Sequence, residues 1–70
     1  MKMYVTRSCR GKYEVRETFE EAKKICDQKS KRNKHKWVVH ELTEGNYTYI
    51  PEQHFLSFSP ARCPIVYEIK

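Results

Sequence analysis

Residues 29–36 read Lys29-Ser30-Lys31-Arg32-Asn33-Lys34-His35-Lys36, five cations in eight positions with no acid among them. Such a run can neutralise several phosphates or meet an acidic protein surface, and contacts of this kind weaken as salt rises. The chain holds 14 Lys and Arg; these five leave nine against nine Asp and Glu, so the formal net charge of +5 belongs to this one segment. The same residues also suit a solvated helix end, where lysines offset the carbonyl end of the helix dipole. Lys31-Arg32-Asn33-Lys34 is in addition compatible with a nuclear-import signal. A neutral body with one cationic segment implies a single local contact rather than wrapping by a polyanion.

Aromatic residues follow the cations closely. Trp37 adjoins the run, and Tyr47 and Tyr49 lie two apart, on one face of any strand that holds them. On an open sheet face such rings stack unpaired bases or anchor a protein contact. In a closed sheet they are ordinary cross-strand packing. Lys29, Lys31, Arg32, Lys34, Lys36, Trp37, Tyr47 and Tyr49 are therefore the candidate binding residues.

Other chemistries lack their parts. Cys9, Cys26 and Cys63 are three widely spaced cysteines, whereas small secreted domains usually carry paired ones. No Cys-x2–4-Cys pair exists, and His35, His40 and His54 do not supply the close ligand spacing of a structural zinc site. Cys26 and Arg32 fit the Cys-x5-Arg spacing of cysteine phosphatases. That loop needs backbone N–H groups turned inward, usually helped by glycines, and none stands here. Cys9 lies between Arg7 and Arg10, which would favour its thiolate, but no base is implied nearby. His40 and Glu41 are strand neighbours pointing to opposite faces, so they cannot share a proton. The expectation is no enzyme, no cofactor, no metal and no small-molecule substrate.

The elements that must position these residues are legible from local pattern. Residues 3–8 are rich in β-branched and aromatic types, Cys9-Arg10-Gly11 is a turn, and residues 13–17 alternate; together they form a hairpin. Thr18-Phe19-Glu20-Glu21 matches a capping box. Phe19, Ala22, Ile25 and Cys26 recur at helical spacing, giving a helix over roughly 19–29. Residues 37–42 and 47–50 read as two partner strands joined by the turn 43–46. Residues 51–64, with Pro51, Pro60 and Pro64, read as irregular, and 65–69 as a last strand. The fold class is α+β: one 70-residue domain, an antiparallel sheet of four to five strands with one helix on one face, in the order β-β-α-β-β-β. One short helix covers one face only, so the other is expected to be partly open.

No run nears the roughly 18 apolar residues of a membrane span, and Arg7 interrupts any signal-peptide core. A cytoplasmic location is the expectation.

The hairpin over residues 4–8 and 13–17, running into Thr18-Phe19-Glu20-Glu21-Ala22 and then the strand 37–42, resembles small phage-encoded host-takeover proteins, among them inhibitors of host RNA polymerase. The chain departs from them in its basic run and after residue 42, so no functional residue carries over. The resemblance implies an accessory or inhibitory protein docking on a host protein or its nucleic-acid-binding site. The alternative is direct binding of DNA or RNA through residues 29–36. The expected partner is thus an acidic protein surface or a nucleic acid.

Overall fold

The structure, a computed structural model, describes residues 2–32 and 35–69. Strand β1 (Met3–Ser8) turns into β2 (Tyr13–Arg16), helix α1 (Phe19–Arg32) follows, and β3 (Trp37–Leu42) comes next. A hairpin of β4 (Tyr47–Ile50) and β5 (Phe55–Phe58), joined through a 3-10 turn at Pro51–Gln53, precedes β6 (Ile65–Glu68). The class is α+β, as expected.

The main sheet has the order β2-β1-β3-β6, antiparallel throughout. The turn from β1 to β2 is closed by Gly11 at φ 90°, which a residue with a Cβ seldom adopts. Ser8 ties this turn from inside, its hydroxyl accepting from the N–H of Arg10 at 3.2 Å and of Lys12 at 3.3 Å. The helix begins as its sequence implies: Thr18 Oγ1 accepts from the Glu21 N–H at 3.3 Å. Its end lies beyond the expected one. Lys31 and Arg32 belong to the last turn of α1 rather than to a loop.

Alternation along β1 and β3 sends Tyr4, Thr6, Trp37 and Val39 towards α1. Ala22 and Cys26 meet Trp37 and Val39 there, with Tyr4, Phe19 and Tyr67 at the margin. Thr6 Oγ1 donates to the Ala22 carbonyl at 2.8 Å, pinning the helix to the sheet. The opposite face carries Val5, Leu42 and Cys63, packed by Val15, Tyr47, Leu56 and Phe58.

The second face is covered in part, by the β4–β5 hairpin and the Cys63 loop. One expectation is corrected, the pairing of β4 with β3. Strand β4 does not pair with β3. Both edges of β3 are occupied, by β1 and by β6, so β4 pairs instead with β5, drawn from the stretch read as irregular. The Trp37-Val38-Val39 run is the physical signature of that central position, because a strand covered on both faces loses its alternation.

Candidate functional site

The cations gather at one end of the molecule. Helix α1 runs about 21 Å along its 14 residues. Glu20 and Glu21 stand in its first turn, and Lys29, Lys31 and Arg32 in its last. The β1–β2 turn lies at the same end as the helix C-terminus, because Ser8 pairs with Trp37, the first residue of β3. The backbone N–H of Cys9 donates to the Lys36 carbonyl at 3.2 Å, which fixes the turn against the start of β3. Arg10 and Lys12 therefore join Lys29 around one small cavity. Beside it, a groove between α1 and β2 is lined by Arg16, Lys29, Lys31 and Arg32, with Ile25 and Glu14. Glu14 stands 3.6 Å from Arg16 and 4.0 Å from Lys29. Lys36 meets Glu68 at 3.1 Å. Those two acids partly offset the positive field, and exposed pairs of this kind contribute about 0–1 kcal/mol each.

Of the sequence-derived candidates, Lys29, Lys31, Arg32 and Lys36 thus share this end, while Lys34 lies outside the described residues. The aromatic candidates do not join them. Trp37 is only 4% exposed, so it is core rather than surface anchor. Its Nε1 finds no hydrogen-bond partner among the described residues, at a cost on the order of 1–3 kcal/mol for a buried donor. Tyr47 packs into the second core cluster. Tyr49 is half-buried in a separate groove with Tyr13 and His54. No open platform of Trp37, Tyr47 and Tyr49 exists on which bases could stack.

Sequence reading missed Ser8, Arg10 and Lys12 as partners of the basic run. All three precede the helix and stand at least 17 positions before Lys29 in the chain. The available signal was the hairpin itself, whose turn must lie near the start of any strand added antiparallel beside β1.

Cys26 and His40 are occupied elsewhere. Cys26 lies inside α1, and its Sγ donates to the Trp37 carbonyl at 3.6 Å. Burial pushes its thiol pKa up. This is no phosphate-binding loop. His40, 1% exposed, holds Nδ1 at 2.9 Å from the Cys63 carbonyl and Nε2 at 3.4 Å from Arg7 Nε. Burial drives its pKa below the ordinary imidazole value; the Cys63 carbonyl opposes this and Arg7 adds to it. The ring is therefore neutral, with Nδ1–H donating and Nε2 accepting. Tyr67 donates to Asp27 Oδ1 at 2.6 Å, and that bond is the main cause of a phenol pKa pushed up to about 12.

Among the described residues no group of three or more His, Cys, Asp or Glu is placed to hold a metal ion, and no helix is long and apolar enough to cross a membrane. No protein-family model, curated protein or solved structure matches the chain.

Proposed function

We propose that this protein is a non-catalytic binding module that docks on an acidic surface of a larger protein through the cationic end of α1. The observation that carries this reading is the charge polarity of the fold. Cations from the β1–β2 turn, the last helical turn and the start of β3 meet at one end, while Glu20 and Glu21 stand at the other. Such a distribution orients an approaching partner and fixes which end makes contact. Lys31 and Arg32 are exposed and lead the contact. The resemblance to small phage-encoded accessory proteins fits an inhibitory role, exerted by covering part of the partner. A positive end complements an acidic patch; it would be repelled by the basic lining of a nucleic-acid channel.

Direct nucleic-acid binding is the competing reading. With Trp37 buried under the helix and Tyr47 packed on the opposite face of the sheet, base stacking is poorly supported, and phosphate contact alone would remain.

The deciding experiment is affinity capture with tagged protein, beside a Lys31→Glu/Arg32→Glu variant, followed by binding to the purified capture product and to random oligonucleotides. One stoichiometric protein, released by salt and lost with the variant, supports the docking reading. Oligonucleotide binding with a steep salt slope and no protein partner overturns it in favour of nucleic acid.

A further inference from the structure

The small cavity between the β1–β2 turn and the end of α1 is lined by Ser8, Arg10, Lys12, Lys29, His35 and Trp37 and has a volume of about 150 Å³. We propose that it is a binding site for a single phosphate group, either the free ion or the terminal group of a phosphomonoester. The proposal adds a compact ligand to the macromolecular docking described above and does not depend on it.

Three observations point to an anion. The first is charge: Arg10, Lys12 and Lys29 line the cavity, and no carboxylate does among the described residues. The second is the indole of Trp37. It is a donor only; it belongs to a residue 4% exposed, and its N–H finds no acceptor among the described residues. The third is Ser8, 2% exposed, whose hydroxyl oxygen already accepts from the N–H groups of Arg10 and Lys12. With its oxygen so engaged, the hydroxyl proton is what it can still offer. Ser8 and Trp37 are register partners on β1 and β3, so both residues lie side by side on the helix-facing side of the sheet.

The site is therefore rich in donors and cations and poor in acceptors. A cationic ligand would meet repulsion, and a neutral one would leave Arg10 and Lys12 without a counter-charge in the cavity. A tetrahedral oxyanion presents several acceptor oxygens at once, which suits a lining of an indole, a hydroxyl, two ammonium groups and a guanidinium. The cavity lies at the C-terminal end of α1, where the helix dipole opposes an anion. Binding must thus rest on side chains, chiefly Arg10, Lys12 and Lys29, which makes it removable by substitution.

Trp37 is the sole tryptophan, so its indole N–H gives one resonance in an amide-proton correlation spectrum. Titration of the full chain with inorganic phosphate, at constant ionic strength set with chloride, should move that resonance saturably. Methyl phosphate, run in parallel, separates the two sources: a matching shift assigns the site to phosphomonoesters, and a shift with inorganic phosphate alone assigns it to the free ion. The Arg10→Met/Lys12→Met variant changes two exposed side chains and should bind about tenfold more weakly, as expected for losing a charge-assisted hydrogen bond. Lys31→Glu/Arg32→Glu, which tests the docking surface, should still show the saturable shift. No movement of the indole resonance with phosphate, an equal movement with chloride, or undiminished affinity in Arg10→Met/Lys12→Met would overturn the proposal.

Discussion

His40 illustrates how much a single side chain depends on what closes over it. Its ring sits edge-on to Phe58, with centroids 5.3 Å apart, and is held between Arg7 and the Cys63 carbonyl. Its folded pKa lies below the unfolded value of 6.5, so the unfolded chain takes up the proton first. The resulting stability is present above that value and lost as pH falls through the folded pKa. The melting temperature should therefore drop from about pH 7 to about pH 5, before most carboxylates titrate. His54→Gln, at an exposed position, should keep this slope, whereas His40→Gln should flatten it. A slope unchanged in His40→Gln would refute the assignment. A second residue-scale prediction concerns the helix start. Thr18→Ala removes the acceptor of the Glu21 N–H, should cost about 1 kcal/mol, and should lower the melting temperature by roughly 4–8 °C. Both residues stood in plain view in the sequence. Only Thr18 announced its role, because a cap is a contact between neighbours along the chain.

At the scale of elements, the β4–β5 hairpin carries the largest departure from expectation. It lies over part of the second sheet face, tied to β2 by the Tyr13 hydroxyl donating to the His54 carbonyl at 3.1 Å, while the Ser59 N–H donating to the Asn46 carbonyl at 3.1 Å closes its open end. Phe58 is its link to His40. Phe58→Ala should cost about 2 kcal/mol, less than a fully buried ring would, because Phe58 is only partly buried. It should also admit water to His40, bring its pKa back towards the ordinary imidazole value, and shrink the acid-side loss of stability. Denaturant melts at about pH 7 and about pH 5 check both halves of this prediction. A residue of ordinary packing would show the loss without the change in pH dependence. The hairpin was half legible. Gly45, at φ 86°, marks the turn before β4, but the neighbour of β4 was misassigned. A turn fixes the direction of the strand that leaves it, not which edge is vacant.

For the whole molecule the governing feature is a charge separation along α1 on a body whose remaining charges balance. Partner affinity should fall by about tenfold or more in Lys31→Glu/Arg32→Glu and should weaken as salt rises, read by calorimetry with the captured partner. Reversing charge at a helix C-terminus also costs on the order of 1 kcal/mol of stability. The neutral Lys31→Ser/Arg32→Ser variant separates the two effects: it should lose affinity while melting close to the wild type. If the neutral variant binds unchanged, the end of α1 is merely solvated and the docking proposal fails.

The sequence by itself determined what is local: the bounds of β1, β3 and β4, the capped start of α1, the glycine turns, and the position of the positive excess in residues 29–36. Each depends on side chains within a few residues of one another, where propensity, alternation and capping act. The tertiary structure decided what is distant. It set β1 and β6 on the two edges of β3, sent β4 to β5, buried Trp37 against Ala22 and Cys26, and brought Arg10 and Lys12 beside Lys29. Those outcomes follow from which edges and faces remain uncovered once the sheet has formed, a competition among segments far apart in the chain that no local pattern encodes.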